Sequence, residues 1–122
     1  MPQISVDYSA GLAEALDRQA LGLALNRLAV KHLGAGPDAC RTRFRAADAT
    51  VVVGERAQEH ELVLVAFHIF PGRTAQAKAE LADAALALLT ELSAPAAGRP
   101  VHAAVDVVEI DRDSYRGATL GG

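Results

Sequence analysis

A strand–helix–strand order occurs twice in this chain at nearly constant spacing, and that duplication constrains the fold more than any other feature. In the first copy Gln3 to Tyr8 alternates, with Ile4, Val6 and Tyr8 on one side and Ser5 and Asp7 on the other, the period of a strand. Asp17 is placed to cap a helix in which Leu21, Leu25, Leu28 and His32 recur at helical spacing until Gly34, Gly36 and Pro37 end it. Arg41 to Val53 then reads as a second strand, β-branched at its far end and broken by Gly54. The second copy predicts a strand over Glu61 to Phe70, a break at Pro71 and Gly72, a helix over Ala75 to Leu92 capped by Thr74, and a strand over Val101 to Ile110. Ser93 to Pro100 is a connection rich in Pro, Ala and Gly, and Asp111 to Gly122 a polar tail.

Each unit makes a parallel strand pair with a right-handed crossover, which puts both helices on the same side of the sheet. The expectation is an α/β (α+β) fold with a duplicated βαβ, a four-stranded mixed sheet and two helices on one face. A chain of 122 residues suits a single domain over 1–122, its repeats running over 2–54 and 61–110. Two helices leave the other sheet face bare. Leu62 to Phe67 is nevertheless an unbroken apolar run, the pattern of a strand buried on both sides. A second subunit is the expected cover, with Val63 and Val65 among the positions facing it, so a homo-oligomer is predicted.

Charge and cysteine usage narrow the partners. Asp and Glu outnumber Lys and Arg by 15 to 12, so the chain has no general positive field for nucleic acid or anionic lipid, and any cationic function must be local. Cys40 is the only cysteine, which excludes an intrachain disulfide framework and fits a reducing cytoplasm. No basic stretch followed by an apolar run opens the sequence, and Leu62 to Phe70 is too short to span a bilayer. A cytoplasmic protein without membrane attachment is expected.

Pro2 is the first candidate for chemistry, because a small second residue permits removal of Met1 and leaves a free prolyl amine. Cationic neighbours and burial would bring that amine toward neutrality, where a general base is most effective. Arg41, Arg43 and Arg45 alternate with Thr42 and Phe44, so a strand projects all three guanidinium groups from one face. This is the outline of an anion site, since the planar fork of arginine matches a carboxylate; the bland alternative is a solvated strand end. Arg73 stands where Pro71-Gly72-Arg73-Thr74 hands a strand over to a helix, whose first N–H groups add to its pull on an anion. His32, His60, His68 and His102 have no zinc-site spacing to one another or to Cys40, so no metal is assigned, and His68 reads as a core histidine. Without a GxGxxG or a phosphate loop, nucleotide binding has no support.

With these pieces in order, the chain resembles the tautomerase superfamily and, within it, the 5-carboxymethyl-2-hydroxymuconate isomerases. The resemblance covers nearly the whole length. It rests on Met1-Pro2 leading into a strand that ends Asp7-Tyr8-Ser9, on Arg41-Thr42-Arg43, on Gly72-Arg73-Thr74, and on the run from Glu109 through Arg112 to Tyr115. It implies a homotrimer with sheets packed around a central axis, a role in aromatic compound catabolism, a base at Pro2 and arginines that bind carboxylates. By position Arg41 matches the binding arginine of the strand and Arg73 that of the turn, with Arg43 the alternative to Arg41. The implied reaction is keto–enol isomerisation of an unsaturated 2-hydroxy/2-oxo di- or tricarboxylate such as 5-carboxymethyl-2-hydroxymuconate, without a cofactor. Two other functions use the same architecture: hydration or decarboxylation with protonated Pro2 as an acid, and a non-catalytic trimeric binding module.

Overall fold

In a computed structural model that describes residues 1–48, 50–93 and 98–121, the main elements are β1 (Gln3–Ser9), α1 (Arg18–Leu33), β2 (Arg41–Ala47), β3 (Val52–Val53), β4 (Arg56–Ala57), β5 (Glu61–Ile69), α2 (Ala75–Ser93) and β6 (Val101–Glu109). The main sheet is four-stranded in the order β2-β1-β5-β6. β1 pairs parallel with β2 and antiparallel with β5, and β5 pairs parallel with β6. Each strand–helix–strand unit therefore supplies one parallel pair, and the two first strands join them at the centre. Of the predicted connection from Ser93 to Pro100, residues 94–97 lie outside the described residues. No helix among the described residues is long and apolar enough to cross a membrane.

The helix boundaries follow local chemistry. Asp17 Oδ1 accepts from Ala20 N at 3.1 Å, Thr74 Oγ1 accepts from Ala77 N at 3.1 Å, and Gly34 closes α1 in the left-handed region at φ 65°. The buried stripe of α1 is Leu21, Leu25, Ala29 and Leu33, one row of four-residue steps, while Leu28 and His32 are only half-buried. The expected face was thus rotated from the real one past Leu25. With Leu81, Ala85 and Leu89 of α2, that stripe packs on Ile4, Val6 and Tyr8 of β1 and Val63, Val65 and Phe67 of β5. Fully burying each large aliphatic side chain contributes about 1.5–3 kcal/mol.

Two strand expectations need correction. The second strand ends at Ala47, not Val53, because its partner β1 ends at Ser9, which pairs with Ala47, before the chain turns into a short 3-10 helix at Ala10–Leu12. Among the described residues none pairs with β2 beyond Ala47 to continue the ladder. Asp48 instead accepts from Thr50 N at 2.9 Å, which holds its carboxyl below the usual range, and Val52 and Val53 pair with Arg56 and Ala57 across Gly54 at φ 58°. The second correction concerns orientation. Val63 and Val65 face the helices and are buried inside the chain; the side of β5 away from the helices carries Leu62, Leu64, Ala66 and His68.

Candidate active site

Pro2 stands where several chain ends meet. Its carbonyl accepts from Arg41 N at 3.2 Å, which ties the chain start to the start of β2. The antiparallel pairing of β1 with β5 brings the end of β5 to the same sheet edge, since Gln3 pairs with His68. The parallel pairing of β5 with β6 brings the exit of β6 there as well, and Ile110 N extends that ladder to Ile69 O at 2.9 Å. Pro2 itself is buried. A residue at a chain start is normally frayed, so this anchoring is what makes Pro2 usable as a positioned group.

Pro2 lines a cavity of about 70 Å³ together with Met1, Leu33, Ile69, Phe70 and Arg73, and Arg112. Of the predicted site residues, the structure thus brings Pro2 and Arg73 together. Arg73 donates from one terminal nitrogen to Leu33 O at 2.7 Å, so the end of α1 fixes its guanidinium while other N–H groups stay available. Met1 also lines a neighbouring space of about 310 Å³ with Gln3, Arg43, His68 and Tyr115. Arg41 is apart from both. It lines a third space of about 250 Å³ with Tyr115 and Gly117, Ala118 and Thr119.

The arginine strand does project one way: Arg41, Arg43 and Arg45 are exposed on the face that the helices leave bare. They are not equivalent. Arg45 makes a two-pronged pair with Asp7, Nε to Oδ1 at 2.8 Å and a terminal nitrogen to Oδ2 at 3.1 Å, and this hydrogen bonding and charge raise its pKa. Among the described residues neither Arg41 nor Arg43 has an ion pair. Asp7 therefore removes Arg45 from the anion site that the alternation suggested.

Two features escaped the sequence. His68 is half-buried beside Arg43 on the bare face instead of lying in the core, because an all-apolar strand hides which of its sides turns inward. Arg112 reaches the Pro2 cavity from the tail beyond β6, with its Cζ 4.2 Å above the Phe70 ring. Topology was the signal that could have found it, since β6 runs parallel to β5 and leaves the sheet at the edge where Pro2 enters. His60 and His102 also meet, Nδ1 to Nε2 at 2.7 Å, but at the opposite end of β5, where Leu62 pairs with His102.

The family model for 5-carboxymethyl-2-hydroxymuconate isomerase matches residues 2–119. The chain belongs to that isomerase family. A 5-carboxymethyl-2-hydroxymuconate isomerase from Deinococcus radiodurans has a similar structure, at TM-score 0.78 and 23% identity over 96% of this chain and 88% of that one. A fused 4-OT wild-type symmetric trimer follows at TM-score 0.75 and 22% identity, over 98% of this chain and 94% of that one. FG41 malonate semialdehyde decarboxylase, inhibited by 3-bromopropiolate, is similar at TM-score 0.65 and 19% identity, over 98% of this chain and 92% of that one. No curated protein gives a significant match. The structural likenesses establish the tautomerase fold, and the isomerase family model makes this chain a tautomerase-fold enzyme.

Proposed function

We propose that the chain is a cofactor-independent keto–enol isomerase of an unsaturated 2-hydroxy/2-oxo di- or tricarboxylate such as 5-carboxymethyl-2-hydroxymuconate, with the amine of mature Pro2 as general base. The reading rests on buried Pro2 sharing one small cavity with the exposed Arg73 in a member of an isomerase family. While Met1 is attached, the Pro2 nitrogen is an amide and has no proton-accepting power. Removal of Met1 makes it a secondary amine, and cationic neighbours favour its neutral form. Met1 lines both the Pro2 cavity and the space that holds Arg43 and His68, so its loss also joins the two.

The neutral amine takes the proton of the enol hydroxyl. The O–H electron pair becomes the carbonyl π bond as the conjugated double bonds shift, and a carbon of that system takes a proton back from the prolyl ammonium. The step is redox-neutral and regenerates the base. Arg73 holds one carboxylate, and Arg43 stabilises charge on the dienolate from across the joined space, an electrostatic contribution that is usually large. Arg41 remains the alternative to Arg43 through Tyr115, which lines the spaces of both. The working form is a homotrimer in which the bare sheet face is covered, a reading supported by the likeness to a symmetric trimer.

Intact mass establishes whether Met1 has been removed, and turnover of a dienol dicarboxylate tests the rest. Pro2→Ala is expected to lower turnover by roughly 10²- to 10⁴-fold in folded protein, the usual worth of a general base. Unchanged turnover in chains that retain Met1 overturns the mechanism. Uptake of water or release of carbon dioxide in place of isomerisation identifies the hydratase or decarboxylase reading, in which protonated Pro2 acts as the acid.

A further inference from the structure

We propose that Arg112 binds a second carboxylate of the ligand in the Pro2 cavity and sets the preference for dianions over monoanions. The inference deepens the isomerase reading and rests on it for the identity of the site. Its ground is geometric. Arg112 and Arg73 line the same cavity of about 70 Å³, and among the described residues the rest of its lining, Met1, Pro2, Leu33, Ala35, Ile69 and Phe70, includes no carboxylate. Two cations on a wall without counter-charge repel each other until an anion enters, in a chain whose net charge is −3.

Arg112 is held for this task without being used up by the protein. Its guanidinium lies over the face of Phe70 at 4.2 Å, and Phe70 is braced edge-on by Tyr115 at 5.4 Å between ring centroids. Stacking through the face leaves the N–H edges of a guanidinium free for a carboxylate. Beneath it the backbone is fixed by a tight turn, in which Asp113 N donates to Asp111 Oδ1 at 3.1 Å and Ser114 N to Asp111 O at 3.3 Å. Among the described residues Arg112 has no hydrogen bond or ion pair to its side chain. Arg73, by contrast, already spends one nitrogen on Leu33 O. The cavity has room for a few water molecules, so it takes the charged end of a ligand, with one carboxylate on each arginine, while the remainder extends past Met1.

The test is binding of adipate and of hexanoate, two unreactive six-carbon chains that differ by one carboxylate, measured by calorimetry on the full chain. Adipate is expected to bind wild type about 10- to 100-fold more tightly than hexanoate, the range of a hydrogen bond to a charged group. Arg112→Ala should abolish that preference and leave hexanoate affinity and melting temperature in place, and Arg112→Lys should restore part of it. Phe70→Leu should weaken the preference by freeing the guanidinium. An Arg112→Ala or Arg112→Lys protein that keeps the full wild-type preference overturns the inference, as does a wild type without preference. Because no turnover is read, the two proposals fail separately. An inactive protein with an Arg112-dependent preference supports Arg112 and rejects the isomerase, and an active protein whose preference ignores Arg112 does the reverse.

Discussion

The two faces of the central sheet are built from the same strands and do opposite things. On the helix side Ile4, Val6, Tyr8, Val63, Val65 and Phe67 are buried in one core with α1 and α2. On the other side the rows across the sheet read Arg43, Ser5, Ala66, Asp106 and then Arg45, Asp7, Leu64, Ala104, and Leu64 is 45% exposed. One strand, β5, is apolar toward both. The chain's own stability therefore lives on the covered face, while the bare face holds surface that a partner can bury, with arginines along its β2 edge.

The largest expected effect breaks this comparison in the core. Val65→Glu places an unpaired carboxylate where the side chain is 2% exposed, at a cost of roughly 3–5 kcal/mol, a large share of the stability of an ordinary domain. Circular dichroism should show a protein that is unfolded or melts far lower. Leu64→Glu, one residue away, should keep the fold and lose self-association, read as a later elution volume at micromolar concentration. Identical behaviour of the two variants would mean that the faces are not distinct.

An intermediate effect sharpens the comparison at the edge where the faces meet. In the proposed mechanism Arg73, at the helix end of the site, is assigned a carboxylate charged alike before and during reaction, so Arg73→Ala should raise KM about 10- to 100-fold with little change in kcat. Arg43, on the bare face, is assigned the charge that develops on the dienolate, so Arg43→Ala should lower kcat and Arg43→Lys should recover only part of it. Steady-state kinetics of both variants checks the split, and a pure KM effect at Arg43 removes its role in the transition state.

How much of this was legible depended on whether a feature was local. The caps at Asp17 and Thr74 and the stop at Gly34 are each written within a few residues, the doubled pattern is assembled from such local signals, and all appear in the structure. The inward side of β5 was not, because Leu62 to Phe67 has no polar residue to mark the alternation; only pairing of Val6 with Val65 and Ile4 with Phe67 decides it. The end of β2 was hidden for a similar reason, as it depends on the length of β1 and not on the β-branched run that follows. In the candidate site Pro2 and Arg73 were both legible as single residues. Their company was not: Arg112 belongs to a polar tail, and only the strand order brings it within reach of Phe70.

A smaller effect depends on pH and tests the covered side near β2. Cys40 is buried, its Sγ 3.5 Å from Gly36 O, and burial raises its thiol pKa, opposed in part by the positive chain terminus. A folded value above the unfolded one gives stability that is complete below the unfolded thiol value of about 8.5 and is lost as pH rises through the folded value. Melting temperature should therefore fall on the alkaline side more steeply in wild type than in Cys40→Ala. Equal slopes would mean that the thiol is not protected. Alkylation at neutral pH should likewise be slow in folded protein and fast in denaturant.

The smallest effect belongs to Arg45, and it separates the arginines of the bare face by partnership instead of position. Arg45 and Asp7 are 58% and 41% exposed at their side chains, and exposed pairs contribute little because water and salt screen them. Arg45→Ala should hardly change melting, and the coupling seen in a double-mutant cycle with Asp7→Ala should shrink further as salt is added. Its effect on turnover should also be slight, since Asp7 already satisfies the guanidinium that Arg43, two residues away, has free. A drop in turnover comparable to that of Arg43→Ala would show that the Asp7 pair opens when substrate binds, and would put the whole alternating row back into the anion site.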